Sequence, residues 1–261
     1  MKEVADAGFR ARVTHEYGTV RHFVGDRVNF NKQARILDFG CGQGIAISSF
    51  ALRHPTSLFF GCDIIPAQLE HLREALRTFL QTDIPSNLEI SQAPPGTLPP
   101  SYADLDLIFA WSVFEHVPFD QLETTMRMLR GRLRPDGLLF IQIDPLYYSP
   151  KGSHLYRYDQ RPWAHLLDQI DVIHDKVMNS DNPQSRKDRE WDQFLTLNRA
   201  TADDIAEATI GAGFEILAQE RMETKLPIPD RLRRIYNEDI LRTNEIRLLV
   251  APLPRADAAY G

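Results

Sequence analysis

Apolar residues fall into two rhythms along the chain. Short, nearly unbroken apolar runs alternate with longer stretches in which apolar residues return every three or four positions. The runs predict strands buried on both faces, and the longer rhythm predicts amphipathic helices. Ala34 to Phe39, Ser57 to Cys62, Leu88 to Ser91, Leu105 to Trp111 and Leu138 to Ile143 read as strands. Ile45 to Arg53 reads as a helix. Pro66 suits a first helical turn, where its missing N–H costs nothing. Leu69, Leu72, Leu76 and Phe79 or Leu80 follow it as one stripe. Behind Pro118, Leu122, Met126, Leu129 and Leu133 form another. Pro135-Asp136-Gly137 reads as a turn before the fifth strand. Residues 1–33 are polar and helical, with Val13, Tyr17, Val20 and Phe23 or Val24 on one face.

The rhythm breaks at Asp144-Pro145. Residues 145–200 are rich in aromatic, charged and proline residues. It resumes at Thr201, an N-cap with Asp204 three residues on, a variant of the capping box. Ile205, Ala208 and Ala212 mark the inner face, and Gly213 suits the C-cap. Phe214 to Glu220 and Glu245 to Val250 are two more strands, the second placed as a late edge hairpin. This alternation predicts an α/β fold. It is a doubly wound, seven-stranded, mostly parallel sheet with helices on both faces and a mainly helical insertion after strand five. The expected units are an N-terminal helical cap (1–33), a Rossmann-like domain (34–144 and 201–251), an inserted substrate lid (145–200) and a flexible tail (252–261).

Composition narrows the function. The 261 residues carry 30 Lys and Arg against 36 Asp and Glu, a net charge of −6. That balance disfavours a nucleic-acid partner held by phosphate neutralisation. Two cysteines, Cys41 and Cys62, are too few for a disulfide framework and read as free thiols. No signal-peptide core and no membrane-length apolar run is present. The expectation is a soluble, cytoplasmic protein with no membrane partner; a homodimer stays open.

The chemistry concentrates after the first strand, in Asp38-Phe39-Gly40-Cys41-Gly42-Gln43-Gly44. Three glycines in five residues let the backbone turn sharply and approach a ligand. The next helix begins there, offering free N–H groups and a positive dipole end to a carboxylate or a phosphate. The second strand ends in Gly61-Cys62-Asp63, where an acid of a doubly wound fold takes the ribose hydroxyls of a cofactor.

These residues resemble the class I S-adenosylmethionine (SAM)-dependent methyltransferases. The family's first motif is a strand, an acid and G-x-G-x-G, and ILDFGCGQG matches it throughout. The resemblance implies SAM as cofactor. Asp38, Gly40, Cys41, Gly42 and Gly44 would line its methionine end, Asp63 its ribose, with Ile64 beside it. Leu105 to Val117 resembles the fourth motif, which places Trp111 and Ser112 near the cofactor. The third motif departs. Many members carry an acid that holds the adenine, whereas Ser91-Gln92-Ala93-Pro94-Pro95 has none and offers only Gln92. An NAD-dependent oxidoreductase would want G-x-G-x-x-G, and the sixth position from Gly40 is Ile45.

Methyl transfer is an in-line displacement, so the pocket must align two reactants and exclude water. A base is needed only where the nucleophile must lose a proton. His154, His116 and Glu115 are the candidates, and His154 leads. Tyr17, Tyr148, Tyr156, Trp163 and His165 are candidate substrate contacts, as polar aromatics gathered near the crevice. No chelating spacing points to a metal. The reading is a methyltransferase of a small organic molecule or glycan, acting at oxygen. Carbon or nitrogen transfer to a small metabolite, a non-catalytic SAM-binding or interaction module, and an NAD-dependent oxidoreductase are the alternatives.

Overall fold

The computed structural model describes residue 9, residues 12–66 and residues 69–254. The outer parts of the expected cap and tail, and the residues just after Pro66, lie outside these. Seven strands form one sheet: β1 (Arg35–Phe39), β2 (Leu58–Asp63), β3 (Leu88–Gln92), β4 (Leu105–Trp111), β5 (Leu133–Ile143), β6 (Phe214–Glu223) and β7 (Thr243–Pro252). Their order is β3-β2-β1-β4-β5-β7-β6. β7 alone runs antiparallel, to both β5 and β6.

Two sequence expectations are corrected here. The late strand is not at the edge. β7 slots between β5 and β6, and its burial is what an inner strand needs: Ile246, Leu248, Leu249 and Val250 are all fully buried. Leu133 does not close the preceding helix but opens β5. Pro135-Asp136-Gly137 is a bulge inside that strand. Leu105 pairs with Leu133, yet Leu107 already pairs with Leu138. Asp106 pins the bulge by accepting from Arg134 Nη1 at 2.7 Å and from the Arg35 N–H at 2.8 Å.

Strand alternation divides the core in two. Leu37, Ile108, Leu139 and Ile141 face α4 (Leu122–Arg130) and α8 (Ala202–Gly211). Ile36, Leu107, Phe109 and Phe140 face α1 (Tyr17–Val24) and α2 (Ile45–Arg53). Each such side chain, fully buried, stabilises the fold by about 1.5–3 kcal/mol. α3 (Leu69–Leu80) covers the β2 and β3 side through Leu72 and Leu76. A π-helical turn, Arg12–Glu16, leads into α1. The Thr201 cap forms as expected: its hydroxyl accepts from Asp204 N at 3.1 Å, and Asp204 Oδ2 accepts from Thr201 N at 2.7 Å.

Three helices lie between β5 and α8: α5 (Ala164–Leu167), α6 (Ile170–Met178) and α7 (Gln184–Leu195). Tyr147, Leu155, Ile173, Val177, Phe194 and Leu197 give them a small core of their own. Two short helices, α9 (Asp230–Arg233) and α10 (Glu238–Arg242), precede β7. Among the described residues no helix is long and apolar enough to cross a membrane.

Candidate active site

The chain runs outward from β1 to β3, then returns to place β4 on the other side of β1. That reversal opens a crevice at the carboxyl ends of β1 and β4. The glycine loop fills the β1 side. Gly40 has φ +78, and a Cβ there would stand 2.3 Å from Val113 Cγ2 of the loop after β4. Only glycine lets the two loops pack this closely. Gly42 has φ +54, and a Cβ there would meet nothing within 4 Å. Its open side is the space a ligand would take.

Asp63 ties the two cofactor loops together. Its Oδ2 accepts from the Gly42 N–H at 2.8 Å, and its Oδ1 accepts from the Ile65 N–H at 2.9 Å. A carboxylate has about four acceptor positions, so two remain for ribose hydroxyls. Ile64 and Ile65 stand beside it, 62% and 58% exposed. Gln92 Nε2 donates to the Ile64 carbonyl at 3.0 Å, so its amide shapes this loop. Cys41 and Cys62 are buried free thiols. Burial pushes the Cys62 thiol up to about 12, and the Cys41 thiol rises as well, from burial and the nearby Asp38. Both thiols therefore stay protonated at neutral pH.

The fourth strand ends at Trp111, and Ser112 follows it at φ +51. Ser112 Oγ lies 3.2 Å from both Gln142 Oε1 and the Asp144 carbonyl. The His15 ring meets Trp111 edge-on at 5.7 Å, so the turn before α1 reaches this end of the sheet. Tyr17, the residue expected there, does not. Its hydroxyl pairs with His54 Nε2 at 3.0 Å, and its ring leans on Phe50 at 4.7 Å. His54 caps the far end of α2, away from the glycine loop.

Beyond Ser112 the structure brings His116 and His154 together, their rings edge-on at 5.5 Å. Burial holds the His116 imidazole down near 4, with His154 adding to the effect. Burial also lowers His154. Both rings are thus neutral at neutral pH. His154 Nε2 faces the Pro145 carbonyl at 3.4 Å. A carbonyl only accepts, so the proton sits on Nε2 and Nδ1 is the basic atom.

Glu115 does not join this pair. It is 4% exposed, and neither carboxyl oxygen has a hydrogen-bond partner. It lines a narrow gap with Leu146, Tyr147, Leu197 and Arg199. Burial raises its pKa to about 8, and Asp144 adds to the rise. A carboxyl raised in the folded state binds a proton there that the unfolded chain has lost. Stability is then fullest below the unfolded value near 4.3 and falls as pH rises toward 8. Glu115→Gln is expected to leave thermal unfolding unchanged at pH 5 and to raise Tm by several degrees at pH 8.5. Equal shifts at both pH values would contradict this.

By spacing alone, Asn198 continues the helical stripe of Trp191, Phe194 and Leu195. α7 stops at Leu195, and Asn198 instead clamps the loop after β4. Its Nδ2 donates to the Phe114 and Val117 carbonyls at 2.6 and 2.7 Å, and its N–H donates to the Glu115 carbonyl at 2.9 Å. Trp163 is another correction. It is fully buried against Ile228, Leu232 and Leu241, with Nε1 donating to the Tyr148 carbonyl at 2.9 Å. No surface remains for a substrate. His165 is buried and donates from Nε2 to the Tyr147 carbonyl at 2.6 Å. Tyr148 is half-buried against Tyr236 at 5.3 Å, and Tyr156 is 37% exposed beneath the Lys151 ammonium.

Residues 37–139 match the family profile described as a methyltransferase domain. That span runs from inside β1 to inside β5 and holds the glycine loop, Asp63, Ser112 and His116. The match covers less than half of the chain and marks these residues as similar to a class of methyltransferase domains. Trans-aconitate 2-methyltransferase of Azoarcus sp. (strain BH72) is 33% identical to it over 54% of this chain and 51% of that protein. The enzyme of the same name from Variovorax paradoxus (strain S110) is 26% identical over 87% and 86%. The match thus spans only about half of the first relative. Magnesium protoporphyrin IX methyltransferase from Synechocystis PCC 6803, solved with bound SAH, superposes with a TM-score of 0.53 at 14% identity. It covers 94% of this chain and 85% of that one, a likeness of fold. SAM is the cofactor of this class. The open face of Gly42 and the two remaining acceptor positions of Asp63 fit it.

Proposed function

We propose that the protein is a SAM-dependent methyltransferase of a small organic molecule, acting at oxygen. The observation that carries this is the neutral His116–His154 pair at the carboxyl end of the sheet that also holds the glycine loop and Asp63. Gly40, Gly42 and Gly44 would face the amino-acid end of the cofactor, Asp63 its ribose hydroxyls and Ile64 its adenine side. When bound, the cofactor supplies a sulfonium methyl group that leaves its sulfur as a neutral thioether. Trp111 and the turn carrying His15 would exclude water from the transfer. His154 Nδ1 would take the proton that an acceptor hydroxyl loses as its oxygen bonds to the methyl carbon. His116, packed on His154, would fix the direction of that ring. Segment 145–200 would close over the acceptor, with Tyr148 and Tyr156 as its contacts.

For a hydroxyl acceptor, His154→Ala is expected to lower kcat by about a hundred-fold or more, with a small change in KM. The wild-type rate should fall as pH drops below the usual imidazole value, because the base must be unprotonated and its pKa is lowered. An unchanged kcat would remove His154 as the base.

A second reading is favoured by the two relatives named for trans-aconitate. A carboxylate acceptor is already unprotonated and needs no base. It would lean on cations such as Lys151 and Arg199, and His154→Ala would then leave kcat intact. Steady-state assays of wild type and His154→Ala on hydroxylated and polycarboxylate panels separate the two.

A further inference from the structure

Glu115 is buried with both carboxyl oxygens unpartnered, a costly state for an acid. The gap it lines has no room for a water molecule, so a partner must come from the protein. The side-chain donors on that gap are Tyr147, Asn198 and Arg199. The Asn198 amide is committed to the Phe114 and Val117 carbonyls. Tyr147 offers a single O–H. Arg199 alone brings a charge and a fork of donors that matches both oxygens of a carboxylate.

Arg199 is placed to move. It is exposed, and among the described residues its guanidinium makes no hydrogen bond or ion pair. The guanidinium rests over the Tyr147 ring, 5.1 Å from its centroid. The Arg199 backbone has φ +60, a left-handed conformation that few residues with a side chain adopt. Asn198 holds it there, with Oδ1 accepting from Ala200 N at 2.9 Å and N–H donating to the Glu115 carbonyl at 2.9 Å. That second bond sets Arg199 one residue from the Glu115 backbone, within reach of its carboxylate.

We propose that Arg199 is a positioning residue, which leaves the Tyr147 ring, pairs with the ionised Glu115 carboxylate and so clamps segment 197–200 onto the loop that carries His116. In the open state, the one the structure holds, Glu115 is protonated and Arg199 lies on Tyr147. In the closed state Glu115 has given its proton to solvent, and the pair fixes His116 against His154. Closing also bares the face of Tyr147, whose ring meets Tyr148 edge-on at 5.3 Å. The action on His116 rests on the reading that the His116–His154 pair is the transfer site.

The surrounding groups give the sign of the effect. Asp144 opposes ionisation of Glu115. His116 and His154, both lowered by burial, are neutral above pH 7. Tyr147, raised by burial, stays a neutral phenol. Only Arg199, a permanent cation, favours the carboxylate.

The test follows the ring-proton NMR signals of His116 and His154, which do not titrate themselves above pH 7. In wild type they should shift once between pH 7 and 10, as Glu115 ionises. Arg199→Met is expected to raise the midpoint by about one pH unit or more, the effect of removing an opposite charge. Arg199→Lys should recover at least half of that change, and Glu115→Gln should show no transition. Thermal unfolding gives a second measure. The pair limits the stability lost as Glu115 ionises, so Arg199→Met should lower Tm at pH 9.5 and leave it unchanged at pH 6. In a Glu115→Gln background the same change should do neither. An unmoved midpoint, or an equal Tm loss at both pH values, would overturn the clamp and reduce Arg199 to packing on Tyr147. A Tm loss confined to pH 9.5 with no shift of the His116 signal would overturn its action on that ring. Neither measurement uses cofactor or acceptor, so a failed clamp leaves the methyltransferase reading to its own tests.

Discussion

Gly42→Arg is expected to weaken S-adenosylhomocysteine binding by more than about a hundred-fold and to abolish methyl transfer, while the protein stays folded. The left-handed backbone at φ +54 costs a side chain about 1–2 kcal/mol. A Cβ there strikes no protein atom within 4 Å, so the fold need not move. The arginine side chain would instead occupy the crevice. Calorimetry and thermal unfolding on the same sample measure the two effects. Gly42→Ala provides a milder step, with the same backbone cost and little occupation of the cleft. Full affinity in Gly42→Arg would place the cofactor elsewhere.

The second large effect concerns stability. Trp163→Ala is expected to cost about 3–5 kcal/mol, the range for emptying a fully buried aromatic site. For a domain of this size that lowers Tm by roughly ten degrees or more. The indole is fully buried, and its loss also leaves the Tyr148 carbonyl without its donor. Trp163→Phe keeps most of the volume and should recover more than half of the loss. A Trp163→Ala variant of normal stability with a raised KM would restore the residue to the substrate pocket.

Most of the sheet is legible because buried parallel strands are apolar on both faces, and four of them read as nearly unbroken runs, while β3, at the sheet edge, alternates polar and apolar residues. The glycine loop and Asp63 were legible for a similar reason: backbone geometry there permits few residue types. The sequence leaves β7 at the edge because pairing order is a property of the whole sheet. Two local facts point inward, the apolar stretch Leu248 to Ala251 and the long link before the strand, and neither fixes a neighbour. Leu133 was drawn into the helix before it because a bulge and a turn share the residues Pro-Asp-Gly.

The site was less legible where contacts are long-range. His116 and His154 lie on different loops, and no spacing between them predicts that their rings meet. Asn198 continued a helical stripe by spacing, but the helix ends before it. Trp163 and Tyr17 read as pocket residues in sequence because an aromatic with one polar atom suits a core and a pocket equally well. Only the partner of that polar atom distinguishes them.

A crystal structure of the complex with S-adenosylhomocysteine shows directly where the cofactor lies. The ribose hydroxyls should lie within hydrogen-bond distance of Asp63, with the amino-acid end against Gly40 to Gly44 and Ser112. The sulfur should open toward His116 and His154. Ligand density away from the glycine loop, or a ribose turned from Asp63, would contradict the account.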